Sequence, residues 1–433
     1  MKIALLGCGT VGGGVLRLLA RNGARYMARC GVPLEVRRVL VRDTDKPRVD
    51  ELDRGKLTTD ASLVLDDPEV DIFVEVMGGE DFAGECVERA IKSGRSVVTA
   101  NKALLAKRGP ALFELASRRG VDLAFEAAVG GGIPVVRALR DSFASDEVLE
   151  LVGILNGTSN YILTRMTEDG CSFDDALAEA QARGYAEADP SLDVDGHDAA
   201  QKLVLLAMLA FGARPPYPAM TVEGIRGLER VDVELAAQLG YSVKHLVVGR
   251  AHGAGVELRA HPTLVRRSSV LSNISLAQNA ILVEGRALGP CLFTGRGAGD
   301  MPTAVSVVAD ILDVARSVVA GVPGLVTAAS DLAEKPLVPA EETTLRYYVR
   351  LTVSDQPGVM AKVAGAFAGE NVSLSQIIQS ELANDAARVV IVTHAAREGS
   401  VRRALAQLER EVVDGGARPL LAAPPRFLRI EDR

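Results

Sequence analysis

The 433-residue chain contains few histidines, cysteines and aromatic residues, and each shortage argues against a class of function. Its five histidines form no cluster and show no metal-ligand spacing, so we expect no catalytic transition metal. Its five cysteines are scattered and form no CxxC pair, which favours free thiols in a reducing compartment. Aromatic residues make up 4% of the chain, and no basic stripe with interleaved aromatics occurs. Together with the net charge of -7, this argues against nucleic-acid binding.

The sequence also shows no segment typical of membrane insertion or export. The apolar run at residues 203–211 is too short to cross a bilayer and suits a buried helix. The first residues, MKIALLGCGT, enter a strand and a glycine turn without a charged leader or a cleavage site. We therefore expect a cytoplasmic protein with no membrane partner. The composition, 48% hydrophobic and 24% charged, is that of a globular protein with about two to four domains.

An acidic stretch at residues 184–202, GYAEADPSLDVDGHDAAQK, leads directly into that apolar run. Asp195-Gly196 predicts a helix start, because an aspartate can accept hydrogen bonds from the amides of a first turn. On that helix Asp198 and Lys202 share a face. A lysine held beside carboxylates at the edge of a core can give its proton to an oxygen. The alternative is an ordinary ion pair on a solvated helix.

The first residues carry a dinucleotide-binding motif. The short apolar strand Lys2–Leu6 runs into Gly7-Cys8-Gly9-Thr10-Val11-Gly12 and then into a helix-period segment, which is the context that GxGxxG requires. We assign Gly7 to the tight turn, Gly9 to the approach of the pyrophosphate and Gly12 to close packing of helix and strand. The phosphate then lies at the helix N-terminus, beside Thr10 and Val11. The alternative is a glycine-rich structural turn.

The end of the second strand bears on the choice of cofactor. This strand, at about residues 34–41, is followed by Arg42 and Asp43. A basic residue here can pair with the 2′-phosphate of NADP(H), whereas an acidic residue binds the ribose of NAD(H). Arg42 favours NADP(H), and Asp43 leaves NAD(H) open. Arg42 can equally be a solvated charge at a strand end.

Further strands alternate with helices in the first part of the chain. Strands at about residues 71–77 and 96–100, with a helix at 82–93 between them, predict a doubly wound parallel sheet of the Rossmann type. Such sheets bind ligands at the carboxyl ends of their strands. The polar or flexible residues at these ends, which we expect near the nicotinamide or the substrate, are Gly78, Thr99, Asn101 and Lys102. Capping of the next helix is the alternative role for Asn101 and Lys102.

Two more polar turns follow in the second part of the chain. FEAAVGGGIP, at residues 125–134, exposes backbone around Glu126, and oxygen ligands of this kind suit a hard cation; a hinge between domains is the alternative. A strand at about residues 149–155 ends in the turn 156–160, where Thr158 can offer a donor to a polar substrate or help to cap a helix. A third glycine-rich turn at residues 295–300 opens a helix, about residues 304–319, which we expect to return to the first domain.

These motifs together resemble homoserine dehydrogenase over about residues 1–325. The resemblance rests on their order: GxGxxG, Ala100-Asn101-Lys102, EAAVGGGIP, LNGTSNYIL, GYAEADP…DVDGHDAAQK and GRGAGDMPTA. It implies interconversion of homoserine and aspartate 4-semialdehyde with NAD(P)(H), in the biosynthesis of threonine and methionine. No kinase-like segment precedes residue 1, so we expect a dehydrogenase without a fused aspartate kinase.

The resemblance also implies roles for individual residues. Lys202 resembles the proton donor, and Lys102 the lysine between substrate and cofactor. The residues that it places around the substrate are Glu187 (facing the amino group), Asp198, Tyr185 and Asp193. The further cofactor contacts are Gly184 and Gly299. The residues that match a monovalent-cation site, usually described with sodium, are Glu126 and the backbone carbonyls of Val129, Gly131 and Ile133.

The tail predicts a regulatory domain. Residues 329–343 are acidic and proline-containing, as expected of a linker. Beyond them a strand-helix-strand-strand-helix pattern, with a last strand near residues 419–422, is typical of a ferredoxin-like fold. DQPGVMAKVAGAFAGENVSLSQI resembles an ACT domain, which implies allosteric feedback, usually by threonine in this family. Asp355, Gly358 and Asn371 are the candidate effector contacts. A structural dimerisation module is the alternative.

We therefore expect residues 1–125 to form a dinucleotide-binding domain, to which the chain returns at 305–328. Residues 126–304 form a catalytic and dimerisation domain, 329–343 a linker and 344–433 the ACT-like domain, in a homodimer or homotetramer. Two other functions stay open. One is a non-catalytic NADP(H) or amino-acid sensor, although a sensor does not need a proton donor. The other is an oxidoreductase for a different semialdehyde.

Overall fold

The computed structural model describes residues 1–214, 217–324, 332–383, 385–413 and 418–432. The predicted return segment at 305–328, the linker at 329–343 and the tail domain at 344–433 therefore lie partly outside the described residues. Within the described residues, no helix is long and apolar enough to cross a membrane. All five cysteines are free, as the sequence predicts.

The first part of the chain forms the predicted doubly wound sheet. Its strands are β1 (Lys2–Leu6), β2 (Glu35–Leu40), β3 (Leu57–Thr58), β4 (Ile72–Glu75), β5 (Ser96–Thr99) and β6 (Leu123–Ala124). Its helices are α1 (Thr10–Cys30), α2 (Ala61–Leu65), α3 (Asp81–Lys92) and α4 (Lys102–Arg119). The strands are all parallel, in the order β3-β2-β1-β4-β5-β6. The order reverses between β1 and β4, and this type of sheet binds its ligand at that point.

The middle of the chain combines helices with a mixed sheet. Its strands are β7 (Val148–Ile154), β8 (Thr221–Val222), β9 (Tyr241–His252), β10 (Gly255–Arg266), β11 (Gln278–Gly285) and β12 (Gly289–Arg296). Its helices are α5 (Val135–Arg137), α6 (Gly157–Glu168), α7 (Phe173–Ala182), α8 (Ser191–Val194), α9 (His197–Phe211), α10 (Arg230–Gln238) and α11 (Asp300–Val319). A π-helical turn, Ala138–Ser142, continues α5, and short 3₁₀ turns lie at residues 54–56, 126–128, 217–219 and 270–273.

Two helices join the middle of the chain to the first sheet. The predicted buried helix is α9, which packs between α4 on one side and β9 and β10 on the other, so that one core spans both parts. Helix α11 returns to the first part and packs against α1, as the sequence predicts. Arg17 of α1 pairs with Asp300 of α11 at 2.8 Å. The first and middle parts of the chain are therefore packed together through α9 and α11.

The tail has the predicted ferredoxin-like elements, but its last strand is longer than expected. The strands are β13 (Thr344–Ser354), β14 (Leu374–Glu381), β15 (Ala386–Thr393), β16 (Ala396–Arg397), β17 (Val412–Val413), β18 (Arg418–Pro419) and β19 (Leu421–Glu431). The helices are α12 (Val359–Gly369) and α13 (Glu398–Arg410), and a 3₁₀ turn lies at residues 340–342. The expected strand at residues 419–422 covers only the beginning of β19.

Strand β19 joins the tail to the middle of the chain. It pairs in parallel with β10 and antiparallel with β13. The two parts therefore share one eleven-stranded sheet, whose main path is β12-β11-β7-β9-β10-β19-β13-β15-β14, with β8 paired to β10 and β16 to β13. From the sequence we expected a linker between these two parts and not a shared sheet. The strand pairing joins residues that are about 166 positions apart, Thr263 and Arg429, and local patterns do not show such a pairing.

Candidate active site

The acidic stretch begins helix α9 differently from the predicted way. The helix follows Gly196, whose φ of +87° is accessible to glycine, and no side chain caps it. The prediction that Asp195 accepts the first-turn amides is wrong, because its carboxylate accepts a hydrogen bond from Arg226 Nε at 2.5 Å instead. Asp198 lies in the first turn, where the helix dipole favours a negative charge.

Asp198 holds two lysines with its two carboxylate oxygens. Lys202 Nζ lies 2.7 Å from Asp198 Oδ2, and Lys102 Nζ lies 3.2 Å from Asp198 Oδ1. Asp198 is 6% exposed and Lys202 is 8% exposed, so the alternative of an ion pair on a solvated helix is wrong. Burial alone raises the pKa of Asp198, but Lys202 and Lys102 outweigh it and lower the pKa to about 2. The carboxylate therefore stays ionised beside both ammonium groups.

A backbone carbonyl fixes the orientation of Lys202. The carbonyl of Leu155, directly after β7, accepts a hydrogen bond from Lys202 Nζ at 2.7 Å and another from Asn279 Nδ2 at 2.9 Å. An ammonium has three donors, and these contacts with Leu155 and Asp198 use two of them. The third can face a substrate oxygen. Asn279 is a residue that the sequence analysis missed.

Asn156 joins Asp198 to a second carboxylate. Its side-chain amide donates to Asp193 Oδ1 at 2.7 Å and to Asp198 Oδ2 at 2.8 Å. Its oxygen accepts from the backbone N–H of Ser159 and so caps α6, which is the structural role foreseen for this turn. Burial raises the pKa of Asp193, against the hydrogen bond from Asn156. Of the predicted substrate residues, the structure thus brings Asp193 and Asp198 together.

The other predicted substrate residues lie on or beside the loop that follows α7. The hydroxyl of Thr158 donates to the backbone carbonyl of Tyr185 at 2.7 Å and ties this loop to α6. Tyr185 is 46% exposed, and its ring packs on Tyr161 with the centroids 4.9 Å apart. Glu187 is exposed on the same loop. The structure therefore places Glu187 at the surface rather than in the buried lysine cluster.

The glycine motif has the geometry of a pyrophosphate-binding turn. Gly7 has a φ of +100°, and Gly9 stands at the N-terminus of α1, which begins with Thr10 and Val11. A Cβ on Gly12 would lie 2.5 Å from the carbonyl oxygen of Gly7, so only glycine allows this approach of helix and strand. The N-terminus of α1 thus offers free amides to a phosphate. These residues fit a dinucleotide.

Two arginines, Arg42 and Arg48, lie near the end of β2, whereas the sequence suggested only Arg42 as a cofactor contact. Arg42 is exposed. Arg48 donates to the carbonyls of Cys8 and Asp43, at 2.5 and 2.7 Å, and so bridges the glycine turn and the strand end. Arg48 follows the strand end in the sequence but is not among the candidates from the sequence, because a lone arginine in a loop is usually solvated. The end of β2 is therefore followed by two arginines, Arg42 and Arg48, and by the acidic Asp43.

The ends of β4 and β5 meet as predicted. Asn101 caps α4 by accepting a hydrogen bond from the N–H of Leu104 at 3.1 Å, so it has the structural role that we named as the alternative, and its contact with the cofactor stays a prediction. Its side-chain amide donates to the carbonyl of Gly79 at 2.6 Å. Thr99 is buried beneath it, Gly78 lies in the adjoining loop, and Lys102 begins α4. These groups line the edge of the sheet next to the glycine turn.

Gly184 and Gly299, predicted as further cofactor contacts, both have positive φ. Gly184, with a φ of +75°, is exposed at the start of the acidic loop. Gly299, with a φ of +129°, directly precedes α11. The two glycines belong to loops of the middle part of the chain, which faces the first sheet across α9 and α11.

The predicted cation site contains a buried acid pair. Glu126 is 2% exposed, and its carboxylate accepts the N–H groups of Val136 and Arg137 at 3.0 and 2.8 Å. Burial raises the pKa of Glu126, and burial together with Glu126 raises the pKa of Asp310 to about 8. Arg137 lies 3.7 Å from Asp310, and the charges of Arg137 and Arg140 oppose the rise in both pKa values; a bound cation would act in the same direction.

The predicted carbonyl ligands of that site have hydrogen-bond donors. The carbonyl of Gly131 accepts from the hydroxyl of Ser306 at 2.6 Å, and that of Ile133 accepts from the N–H of Val135 at 2.8 Å. Val129, which precedes both residues in the chain, is fully buried. A carbonyl oxygen has a second lone pair, so these hydrogen bonds leave room for a cation. The residues therefore fit a monovalent cation.

The three effector candidates do not lie together within one chain. Asp355 and Gly358 precede α12, whereas Asn371 follows it. The helix has 11 residues, which corresponds to about 16 Å at 1.5 Å per residue. A small amino acid can therefore contact one end or the other within a single chain. All three residues are exposed.

Family models match three segments of the chain. The model for the NAD-binding domain of homoserine dehydrogenase matches residues 7–126, and the homoserine dehydrogenase model matches residues 134–312. The ACT domain model matches residues 347–412. The glycine turn lies in the first segment, and the lysine cluster joins Lys102 of the first to α9 of the second.

Individual relatives extend over nearly the whole chain. A homoserine dehydrogenase of Pseudomonas aeruginosa is 42% identical over 415 residues, which cover 94% of this chain and 95% of the relative. That of Corynebacterium glutamicum is 42% identical over 434 residues, which cover 99% and 95%. The crystal structure of a Thiobacillus denitrificans homoserine dehydrogenase matches with a TM-score of 0.93 and 42% identity, covering 100% of this chain and 98% of that one.

A more distant structure contains the cofactor. A hyperthermophilic archaeal homoserine dehydrogenase in complex with NADPH matches with a TM-score of 0.62 at 26% identity, covering 72% of this chain and 97% of that one. Fold, motifs and relatives agree over the full length. The chain therefore belongs to the homoserine dehydrogenase family, oxidoreductases that interconvert L-aspartate 4-semialdehyde and L-homoserine with a nicotinamide cofactor.

Proposed function

We propose that Lys202 is the proton donor of this dehydrogenase. The observation that supports the role is the fixed ammonium, which Asp198 and the Leu155 carbonyl hold on two of its donors. When bound, the nicotinamide supplies the hydride that reduces the aldehyde carbon. The third N–H of Lys202 can then give its proton to the carbonyl oxygen. The low pKa of Asp198 keeps this carboxylate from acting as a competing acid.

Lys102 has an electrostatic role in this proposal. Its ammonium lies on the other oxygen of Asp198, at the first turn of α4 beside the sheet edge that we assign to the cofactor. A fixed positive charge here stabilises the negative charge that develops on the substrate oxygen. Lys102 and Lys202 contact different oxygens of one carboxylate, so Asp198 holds both positive charges near the same point.

We assign the amino-acid end of the substrate to the acidic loop. Glu187 is an exposed carboxylate there, free to pair with an α-ammonium group. Asp193, held by Asn156, and the Thr158–Tyr185 contact shape the inner wall. This assignment rests on the family resemblance and on the exposed position of Glu187. It requires the loop to lie over the substrate when substrate is bound.

NADP(H) is the preferred cofactor in this proposal, with NAD(H) as the alternative. The contacts that we assign to it are Gly7, Gly9, Thr10, Val11, Gly12, Arg42, Gly78, Thr99, Asn101, Lys102, Gly184 and Gly299. Two basic side chains, Arg42 and Arg48, adjoin the end of β2 and suit a 2′-phosphate. The NADPH complex of the archaeal relative supports the same choice.

We also propose a monovalent cation, with sodium as the favoured ion, held by Glu126 and the carbonyls of Val129, Gly131 and Ile133. The buried acid pair Glu126–Asp310 supports it, because a cation offsets the cost of two buried carboxylates. Replacing sodium by choline should lower the melting temperature of the wild type and not that of Glu126→Gln. An equal response of both proteins would contradict the site.

Feedback regulation through the ACT domain completes the proposal, with threonine as the effector. We divide the chain functionally at the boundaries predicted above, and expect a homodimer or homotetramer. The support is a direct contact: Arg429 of β19 donates to Glu223 Oε1 and Oε2, both at 2.9 Å, and to Glu398 of α13. Millimolar threonine should change activity or assembly, and no change in either would contradict this role.

Glu223, which contacts the ACT domain, is followed along the chain by residues that contact the segment just before α9, the helix that contains Lys202. The N–H of Ile225 donates to the carbonyl of Val194, just before α9, at 2.7 Å. A Cβ on Gly224 would lie 2.2 Å from the same carbonyl, so the two segments are in close contact. A shift of Arg429 can therefore reach the turn that precedes Asp198.

The free thiols support a cytoplasmic location for the enzyme.

The experiment that tests the proposed function is oxidation of NADPH with L-aspartate 4-semialdehyde. The account predicts turnover, and lower turnover with semialdehydes that are one carbon longer or that lack the amino group. A protein that binds NADPH without turnover would favour the sensor alternative. Faster turnover of another semialdehyde would favour a different substrate.

A further inference from the structure

A buried carboxylate stands at the end of β4 with no positive partner among the described residues. Glu75 is 0% exposed. Its Oε1 accepts the N–H groups of Met77 at 2.8 Å and Gly78 at 3.1 Å, and its Oε2 accepts the hydroxyl of Thr99 at 2.6 Å. Burying a charge is costly unless hydrogen bonds replace its hydration. Glu75 is thus held entirely by backbone amides and one hydroxyl.

These hydrogen bonds belong to a closed ring. Thr99 is opposite Glu75 in the β4–β5 pair, and its oxygen accepts the N–H of Asn101 at 3.0 Å. The side-chain amide of Asn101 donates to the carbonyl of Gly79 at 2.6 Å. Gly79 directly follows Met77 and Gly78, whose N–H groups donate to Glu75. The ring therefore connects the ends of β4 and β5 through Glu75, Thr99 and Asn101.

The ring adjoins two features of the proposed active site. One is the loop Met77–Gly79, in which Gly78 and Gly79 have φ values of +74° and +79°. The other is Lys102, which follows Asn101 and whose ammonium lies 3.2 Å from Asp198. An apolar residue at position 75 would avoid the cost of a buried charge, but it could not bind both segments.

We infer that Glu75 is a positioning residue for hydride transfer. Through Thr99 and Asn101 it fixes Lys102, and through Met77 and Gly78 it fixes the loop that faces the nicotinamide. It does not touch the substrate in this role. The inference rests on the proposed function, in particular on the positions assigned to the cofactor and to Lys102. It adds Glu75 as the residue that keeps these two groups in the correct relative position. Small displacements of such groups have large effects on rate.

Thr99 offers the sharpest test, because its variants separate the hydroxyl from the shape of the side chain. Thr99→Val keeps the shape and removes the link between Glu75 and Asn101, whereas Thr99→Ser keeps the link. Glu75→Gln keeps the shape and removes the charge. Ser96→Ala is the matched control, because it removes a buried hydroxyl that accepts the N–H of Asp122 at 3.1 Å at the other end of β5.

The measurements are kcat and KM in the semialdehyde reaction, the dissociation constant of NADPH from fluorescence titration, and the melting temperature. Thr99→Val and Glu75→Gln should lower kcat roughly tenfold and weaken NADPH binding severalfold. Thr99→Ser should restore both, and the KM of the semialdehyde should change less than twofold. Ser96→Ala should lower only the melting temperature.

The inference is overturned if Thr99→Val or Glu75→Gln binds NADPH and turns over like the wild type, whatever its melting temperature. It is also overturned if Thr99→Ser is as impaired as Thr99→Val. If one impaired variant does not fold, the other decides the question. If the wild type binds NADPH without turnover, the proposed function fails while the binding measurement still tests Glu75.

Discussion

The ammonium of Lys202 lies 2.7 Å from the carboxylate of Asp198, one helical turn away, and both groups are buried. The other oxygen of that carboxylate binds Lys102 from a different helix and a different part of the chain. The proposed active site therefore has one negative charge placed between two positive ones. Breaking a buried pair of this kind leaves an uncompensated charge, which makes it costly.

Asp198→Asn tests this arrangement. The asparagine keeps the size of the side chain but gives up the charge that faces both lysines. We expect kcat to fall by at least about tenfold and the free energy of unfolding to fall by about 3 kcal/mol, because two ammonium groups lose their counter-charge. Steady-state kinetics and urea unfolding measure both. Asp195→Asn, on the partly buried turn before the helix, removes a charge that faces Arg226 rather than the two lysines and should leave kcat unchanged.

The buried Lys244 predicts a stability that depends on pH. Burial lowers its pKa to about 8, although Glu168 acts in the opposite direction. The folded state therefore binds fewer protons than the unfolded state between pH ~8 and ~10.4, so the contribution of Lys244 to stability rises with pH in that window. Below it, the charged lysine costs about 3 kcal/mol at most.

Lys244→Met should consequently raise the melting temperature at pH 7, with a smaller gain at pH 10. The Ile274 carbonyl that loses Lys244 still accepts a hydrogen bond from Asn160, so no acceptor is left without a donor. Lys92→Met, at an exposed position, is the matched control and should show no such pattern. A destabilised Lys244→Met at pH 7 would contradict the prediction.

Arg42→Ala tests the assignment of NADP(H). Loss of a guanidinium that pairs with the 2′-phosphate should raise the KM of NADPH by about tenfold and leave that of NADH unchanged. Arg25→Ala removes an exposed arginine from α1 and serves as the control. If NADPH and NADH respond equally to Arg42→Ala, the residue is a solvated charge, and Arg48 becomes the next candidate.

Arg402→Ala tests the route from the ACT domain. Arg402 of α13 contacts Glu223 at 3.2 Å and is partly exposed, so its loss should be tolerated by the fold. We expect the threonine response to weaken while basal kcat stays near that of the wild type. Arg403→Ala is a close control, because Arg403 binds Glu370 within the tail at 2.8 Å. Identical threonine responses in the two variants would exclude the route.

Local signals predicted much of this site. The glycine turn, the shared face of Asp198 and Lys202 and the strand ends near Gly78 and Lys102 follow from short motifs and from helix or sheet periodicity. The structure confirms the fold that these signals imply and the pairing on α9. It corrects the cap, since Gly196 rather than Asp195 precedes the helix.

Contacts between distant positions could not be predicted in this way. Asn279 binds the carbonyl that also orients Lys202, yet the two bonded residues are 124 positions apart and neither belongs to a recognisable spacing. Arg429 lies in a strand that we expected to end much earlier, and it is buried only because β19 pairs with β10. Such partners depend on the assembled sheet, for which a single sequence contains no periodic signal.

The most direct measurement is the rate of NADPH oxidation by Lys202→Ala with L-aspartate 4-semialdehyde, compared with the wild type and with Lys102→Ala. The account predicts that Lys202→Ala loses a factor of roughly a hundred or more in kcat while its affinity for NADPH stays within about twofold. Near-normal turnover of Lys202→Ala would contradict it. Lys202 would then be a structural partner of Asp198, and Lys102 the next candidate for the proton donor.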